Sequence, residues 1–493
     1  MADFARKTIR HATIYGIGIV MGRIASFVML PIYTRFLSPA DYGVIELLTM
    51  TIDFVSVLLG LRVAEAIFRF YMTSDDPENR KDLISTALLA VLAVNAAGVL
   101  LLILFAHPLT ALVLGANGRA GLLQLFALSL LFAGVGETVF VFIRAEQRPW
   151  LFVIFSTVRL ILQLALSIYF VVLRRMHVEG VIYSAVLSGG ISCVALGAYT
   201  VSRVGLRWSA AKARELISFS WPLMLSSIGA FYITFGDRFF LRAFSTMNAV
   251  GLYSLAYKFA FLLVALLWTP FANIWDSERY EICKRDDAKQ TFGRVFALSS
   301  YLLIATSLVV GLFASDVLQV MAAPGFWGAA RMVPLLLAAY VIQCWTGYAN
   351  LGIMLSRDTK HITYATFLSV VVITIAYSTL IPRFGGMGAA WATLAGMVAR
   401  FVWVYKTAKA RYDMELPWRP VIQLAGLALL SYAVAQLAPA GLIWSIAIHT
   451  SVLVGFVILS MTRPILDKSD REALTGILRR PAGAMRALAT GRP

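Results

Sequence analysis

The sequence predicts an all-α polytopic membrane protein with about fourteen transmembrane helices. Of its 493 residues, 60% are hydrophobic and only 14% are charged, whereas soluble globular domains carry about 25% charged residues. The apolar runs have the length of a spanning helix, about 20 residues, and lack the alternation of a membrane β-strand. These observations exclude a soluble enzyme, and the high hydrophobicity excludes a disordered chain.

Fourteen apolar segments are separated by short polar or glycine- and proline-containing breaks. The divisions that decide the helix number lie at residues 174–179 and 439–441. The predicted spans are residues 12–35, 43–69, 83–106, 120–143, 151–173, 178–202, 217–242, 249–274, 292–315, 329–356, 361–382, 385–407, 419–438 and 441–462.

The distribution of Lys and Arg supports this topology. With the N-terminus in the cytoplasm, the cytoplasmic segments carry 30 of the 43 Lys and Arg residues, the outer loops carry seven and the spans six. This bias follows the positive-inside rule, so we expect both termini in the cytoplasm. The formal charge of +17 then reflects topology and contacts with anionic lipids, and no nucleic-acid partner is expected.

The chain repeats itself at an offset of about 208 residues. The segment RFLS at 35–38 resembles RAFS at 242–245, and GVIY at 180–183 resembles GAAW at 388–391. RAEQR at 144–148 resembles SRDTK at 356–360, at an offset of 212. Three such matches in one order indicate two parallel six-helix repeats, related by an axis along the membrane normal. The predicted organisation is an N-terminal lobe (1–205), a cytoplasmic linker (206–216), a C-terminal lobe (217–410), two extra helices (411–462) and a basic cytoplasmic tail (463–493).

The sequence contains no motif for nucleotide-phosphate binding or metal-dependent hydrolysis. The five histidines are scattered and the three cysteines are far apart, so we expect no metal site and no cofactor. The glycines of Gly134-x-Gly136 are interpreted as points of close helix packing. Apart from Arg419 at their start, the two extra C-terminal spans carry no Asp, Glu, Lys or Arg, and His449 is expected to be satisfied by a neighbouring polar group.

Charged residues inside the predicted spans are the candidate functional residues, because each costs about 2.5–3.5 kcal/mol at a helix centre and usually faces water or a partner. They form two groups. The cationic group, predicted to line a water-filled cavity that binds an anionic headgroup such as a diphosphate, is Arg23, Arg62, Arg159, Lys258 and Arg400. The acidic group, predicted to gate the cavity or to bind a coupling H⁺ or Na⁺, is Asp53, Glu65 and Asp237.

Pairing inside the bundle is the alternative interpretation of these charges. Glu65 can pair with Arg62 or Arg69 along one helix face. Asp237 can pair with Arg238, Arg242 or Arg35 near the outer surface. The repeat places Asp53 and Lys258 at similar depth, where a bridge between them would be either a gate latch or a fixed salt bridge. Arg159 has no acid three or four positions away, which favours the cavity.

Several segments resemble the polysaccharide flippases, the Wzx-like polysaccharide transporter family of the multidrug/oligosaccharidyl-lipid/polysaccharide exporter superfamily. The most specific is LPIYTRFLSPADYG at 30–43. Weaker matches are RFY at 69–71, RAEQR at 144–148, DR at 237–238 and VGLY at 250–253. The resemblance covers residues 5–410.

This resemblance implies a V-shaped bundle with a central cavity lined by the first, second, seventh and eighth helices. It implies alternating-access transport of undecaprenyl-diphosphate-linked oligosaccharides to the outer leaflet of the bacterial inner membrane. Expected partners are the lipid-linked substrate, membrane lipids, a polysaccharide polymerase and glycosyltransferases. Two alternatives stay open: a drug/H⁺ or Na⁺ antiporter of the same superfamily, and a membrane-embedded glycosyltransferase or ligase.

Overall fold

The computed structural model describes residues 29–59, 63–115, 119–356, 358, 360–437 and 441–462. Within these ranges the chain forms sixteen α-helices and no β-strand. The first eight are α1 (Pro39–Leu59), α2 (Val63–Thr73), α3 (Pro77–Leu104), α4 (Ala106–Leu114), α5 (Ala120–Ala145), α6 (Pro149–Ser167), α7 (His177–Val204) and α8 (Ala210–Phe244). The others are α9 (Met247–Leu263), α10 (Thr269–Ile282), α11 (Ala288–Met321), α12 (Val333–Ala349), α13 (Leu351–Leu355), α14 (Lys360–Lys409), α15 (Trp418–Ala435) and α16 (Leu442–Thr462).

The predicted fold class is confirmed. Eleven helical segments of the described residues are long and apolar enough to cross a membrane, and one of them, α14, covers two predicted spans. Together with α8, which spans 35 residues, they account for thirteen of the fourteen predicted spans. The first span lies largely outside the described residues, which are helical from 29 to 36. The protein is an integral membrane protein.

Three boundaries differ from the sequence prediction. The second predicted span is two helices, α1 and α2, with residues 60–62 between them outside the described part. The predicted loop 275–291 is helical up to Ile282, because Trp275 is buried and stacks on Tyr348 with 4.6 Å between ring centroids. Finally, α8 begins at Ala210, inside the predicted linker.

The predicted break between the eleventh and twelfth spans is confirmed inside α14. Gly385 has φ 52° and ψ −128°, a conformation outside the helical region that glycine adopts at little cost. Pro382 precedes it and removes one helical hydrogen bond. The backbone of Gly388 then packs so closely on the carbonyl of Leu380 that a side chain would overlap it.

Contacts divide the chain into two compact units, Met1–Gly251 and Leu252–Pro493, called here the N-terminal and C-terminal units. In the N-terminal unit α5 is the central helix and packs against α3 and α7. α8 packs against α1, α2 and α3, and therefore belongs to this unit. The six-helix lobes remain a prediction.

Two glycines bring the starts of α1 and α9 into backbone contact. A side chain on Gly43 would overlap the carbonyl oxygen of Met247, and one on Gly251 would overlap the carbonyl oxygen of Pro39. Each hypothetical Cβ atom also lies 3.1 Å from the other glycine's nitrogen. Since Pro39 and Met247, like the two glycines, stand 208 positions apart, the contact is reciprocal, as between two-fold-related copies. It supports the predicted parallel repeat.

We expect Gly251→Ala to lower stability by about 1–3 kcal/mol, because the new methyl group forces the two backbones apart. The measurement is the thermal unfolding midpoint of the purified protein in detergent. The control is Gly197→Ala on α7, where a Cβ meets nothing within 4 Å and the helix gains up to about 1 kcal/mol. Equal midpoints for the two variants would contradict the close contact.

A buried polar cluster attaches α16 to α11 in the C-terminal unit. His449 Nδ1 lies 2.7 Å from Asp316 Oδ2, and Ser445 Oγ donates to Asp316 Oδ1 at 2.7 Å. Asp316 and His449 are 3% and 4% exposed. The expectation that a neighbour satisfies His449 is confirmed.

Asp316→Ala is expected to destabilise the C-terminal unit by about 1–3 kcal/mol, because it leaves a buried hydroxyl and imidazole without their acceptor. Asp316→Asn keeps one acceptor oxygen and should cost less. Thermal unfolding checks the order wild type, Asp316→Asn, Asp316→Ala. If Asp316→Ala unfolds at the wild-type midpoint, the cluster does not anchor α16.

Candidate functional site

A polar cavity of about 130 Å³ lies inside the N-terminal unit, where four helices meet. The cavity lies among apolar spanning helices. Polar side chains are costly there unless they bind a partner or water. The lining residues are Ser56 and Val57 of α1, Val63 and Ala64 of α2, Val91 and Asn95 of α3, and Gly134, Glu137 and Thr138 of α5.

Asn95 forms one wall of this cavity. It is 2% exposed, and its carbonyl oxygen Oδ1 accepts no hydrogen bond within the described part of the chain. Its amide lies against the bare backbone of Gly134, where a side chain would overlap Nδ2. Gly134 therefore creates the space that Asn95 fills, and the predicted close packing at this glycine is confirmed.

Arg159 approaches the same helix from α6. Its Nη1 lies 3.8 Å from the position that a Cβ on Gly136 would take, so the guanidinium rests near this glycine. The side chain is half-buried. It makes no hydrogen bond or ion pair with another described residue of the N-terminal unit. A half-buried guanidinium with unused donors can bind phosphate oxygens in a bidentate manner.

Asp53 lies on a polar face of α1 that leads to the cavity. Glu46 and Asp53 are seven positions apart and therefore share a helix face, and their carboxylates repel each other. Ser56, one turn beyond Asp53, lines the cavity. Asp53 is exposed and makes no hydrogen bond or ion pair with the described residues of its unit. Its position fits an accessible acid.

Asp237 is placed differently from Asp53. It is fully buried on α8 and forms an ion pair with Arg238, with 2.6 Å between Oδ1 and Nη1. Arg238 also donates to the carbonyl oxygen of Thr234 at 2.9 Å. The pairing interpretation is therefore confirmed for Asp237, and removing one member of such a buried pair costs about 3–5 kcal/mol.

The remaining candidates are dispersed. Glu65 is exposed on α2. Lys258 on α9 and Arg400 on α14 are half-buried in the C-terminal unit, and the Arg400 Nε–H donates no hydrogen bond within the described residues. Arg23 and Arg62 lie outside the described residues. The bridge between Asp53 and Lys258 stays a prediction.

Sequence reasoning missed three residues that line the cavity, Ser56, Asn95 and Thr138. The sequence prediction rested on charged side chains, and neutral polar residues occur in many membrane helices as packing elements. One signal was available: Asn95 stands alone in the apolar run of α3, where an amide without partners is costly.

A family model described as polysaccharide biosynthesis protein matches residues 32–330. The chain belongs to this family. The resemblance to polysaccharide flippases read from residues 30–43 is thereby confirmed. A probable low-salt glycan biosynthesis flippase of Haloferax volcanii is 23% identical to this family member over 231 residues. The match covers 46% of the chain and 48% of that relative, so about half of each is aligned.

Solved structures show the same fold at low sequence identity. The lipid II flippase MurJ in an inward closed conformation matches with a TM-score of 0.69 and 12% identity, over 92% of this chain and 98% of MurJ. An inward-facing multidrug resistance MATE family transporter of the MOP superfamily matches with a TM-score of 0.62 and 15% identity, over 80% and 98% of the two chains. This polysaccharide biosynthesis protein therefore has a flippase and transporter fold.

Gly134→Ala is expected to destabilise the N-terminal unit by about 1–3 kcal/mol, because the methyl group overlaps the Asn95 amide. Thermal unfolding measures this loss. In the double variant Gly134→Ala/Asn95→Ala the overlap is removed, so the two losses should not add. Strict additivity would mean that Gly134 and Asn95 do not contact each other.

Proposed function

We propose that this protein is a flippase for a lipid-linked oligosaccharide. It moves an undecaprenyl-diphosphate-linked glycan from the cytoplasmic to the outer leaflet of a bacterial inner membrane, for the synthesis of a surface polysaccharide. Family membership and the flippase relative support the substrate class. The observation that carries the proposal is Arg159, a half-buried guanidinium on α6 that has no acidic partner among the described residues of its unit.

The guanidinium of Arg159 suits a diphosphate. An undecaprenyl-linked headgroup carries its negative charge at the diphosphate, between the sugar and the lipid tail. Arg159 would donate two parallel hydrogen bonds to one phosphate, and a guanidinium sheds water more readily than an ammonium. The bare backbone at Gly136 leaves the guanidinium room to reach its ligand.

The remaining charged candidates take supporting roles in this proposal. Lys258 acts as a point charge toward the second phosphate, and Arg23, Arg62 and Arg400 make the path cationic. A bridge between Asp53 and Lys258, as a gate latch or as a fixed salt bridge, stays a prediction. The lipid tail stays in the bilayer while the two lobes alternate between openings to the cytoplasm and to the outside.

A coupling ion is the second part of the proposal. Asp53 is the preferred candidate, because its side chain is exposed and makes no ion pair with the described residues of its unit. A carboxylate of this kind is a ligand for H⁺ or Na⁺. Glu65 is also accessible. Asp237 would first have to give up its buried pair with Arg238.

A drug/H⁺ or Na⁺ antiporter is the alternative function. The MATE transporter fold supports it. A cationic drug, however, would meet the guanidinium of Arg159 as a repelling charge. The relatives found are named flippases and transporters, which leaves the glycosyltransferase alternative without support.

Translocation by Arg159 variants tests the proposal. Proteoliposomes are loaded with lipid-linked oligosaccharides extracted from the cells that make the protein, and sugar appearing in the opposite leaflet is measured with a membrane-impermeant lectin or oxidant. We expect Arg159→Ala to lower the rate by about tenfold or more, since a charged hydrogen bond contributes about 1.5–3 kcal/mol. Arg159→Lys should retain part of the rate.

The control variant is Arg203→Ala, which removes an exposed arginine near the end of α7 that stacks on Tyr199. It should leave translocation at the wild-type rate. No translocation by the wild-type protein would overturn the proposed function. Equal rates for the wild type and Arg159→Ala would remove Arg159 from the site.

A further inference from the structure

A second cavity of about 870 Å³ opens at one end of the N-terminal unit. Pockets for small ligands measure roughly 300–1,000 Å³. This cavity lies where the connection before α1, the turn before α5 and the turn before α7 come together, and the predicted topology places that end of the unit outside the cytoplasm. None of its lining residues belongs to the candidate site described above.

Two pairs of opposite charges line this cavity: Asp41 and Arg119 form a long ion pair, whereas Arg175 and Glu179 do not pair with each other. Arg175 and Glu179 are both exposed to it, and neither forms a hydrogen bond or ion pair with another described residue of the unit. Arg175 therefore offers its donors, and Glu179 its acceptors, separately to a ligand.

The remaining polar groups around the cavity are held in place. Asp41 Oδ2 accepts a hydrogen bond from Ser38 Oγ at 2.7 Å, which leaves Oδ1 facing Arg119 at 3.9 Å. The ring of His177 donates from Nδ1 to the carbonyl oxygen of Phe36 at 3.1 Å, because a carbonyl only accepts. Nε2 is then the ring nitrogen available to a ligand.

The cavity also has an apolar and aromatic wall. Leu122, Leu125 and Met176 line it together with Tyr183, whose side chain is 37% exposed. The helices α5 and α7 begin at the cavity, and neither is capped by a side-chain hydrogen bond. Their first N–H groups therefore add donors to those of the arginines.

This combination fits a saccharide better than an anion or an apolar ligand. A sugar presents hydroxyl groups that both donate and accept, and its C–H faces pack on aromatic and aliphatic side chains. The carboxylates of Asp41 and Glu179 and the Nε2 atom of His177 accept from hydroxyls, and Arg175 donates to hydroxyl and ring oxygens. A simple phosphate would be repelled by both carboxylates.

We propose that this cavity is a saccharide-binding site, which holds sugar residues of the headgroup after translocation. The proposal rests on the proposed flippase function for its place in the transport cycle. The site binds the glycan by its hydroxyl groups, at a distance from Arg159, which binds the diphosphate. Release from it is the last step before the glycan passes to the enzymes outside.

A binding experiment on the whole protein tests this. The probe is the free oligosaccharide mixture that mild acid releases from the lipid-linked oligosaccharides of the translocation assay. Saturation-transfer NMR with the protein in nanodiscs detects its binding, and inorganic pyrophosphate is added as a competitor. We expect a signal that pyrophosphate does not displace and that falls at least fivefold in Arg175→Gln and in Glu179→Gln.

The matched control is Arg174→Gln, since Arg174 is the exposed neighbour of Arg175 and does not line the cavity. It should bind like the wild type. Arg175 already has a positive φ of 52°, and glutamine replaces one non-glycine residue by another at that position. If Arg175→Gln fails to fold, Glu179→Gln provides the test.

Four outcomes decide the matter. Equal binding in all variants, no binding by the wild type, or displacement by pyrophosphate would each overturn the saccharide site. If the saccharide site is overturned but the wild-type protein still translocates lipid-linked glycan, the proposed function stands without this site. Cavity-dependent binding in a protein that translocates nothing would keep the site and remove the flippase.

Discussion

The backbone contact between Gly43 and Gly251 constrains the arrangement of the N-terminal unit. It places the start of α9 against the start of α1 with no side chain between them. α1 carries Asp53 and one wall of the polar cavity, so the position of these groups depends on where that helix begins. A reciprocal contact of this kind can be kept only while both positions are glycine. The position of the site thus depends on a contact between two glycines.

The electrostatics of the interior follow a simple division. Buried charges with a structural role are paired, as Asp237 is with Arg238 and Asp316 with His449. Arg159 and Arg400 make no ion pair with the described residues of their own units. An unpaired cation in a membrane is costly, so we expect Arg159 and Arg400 to face water or a ligand.

The sequence predicted the helices well and the site in part. Hydropathy and the distribution of Lys and Arg are sufficient for the spans, because the bilayer sets both. These two signals do not predict the second half of α10, because it is too polar to be a membrane span. Its Trp275 is nevertheless buried, together with Phe271 in the first half of the helix. The charge of Arg159 was visible in the sequence, whereas Asn95 and Gly134 depend on which helices meet, and no local pattern encodes that.

The cluster of Asp316, Ser445 and His449 has a consequence for the last two helices. Both are apolar and mostly face outward, which suggests segments that could be trimmed to make a shorter protein. α16, however, supplies the imidazole and hydroxyl that hydrogen-bond a buried carboxylate of α11. Deleting α16 would leave that carboxylate without these two partners. A minimal twelve-helix version would therefore need a neutral residue at position 316 before its C-terminus could be shortened.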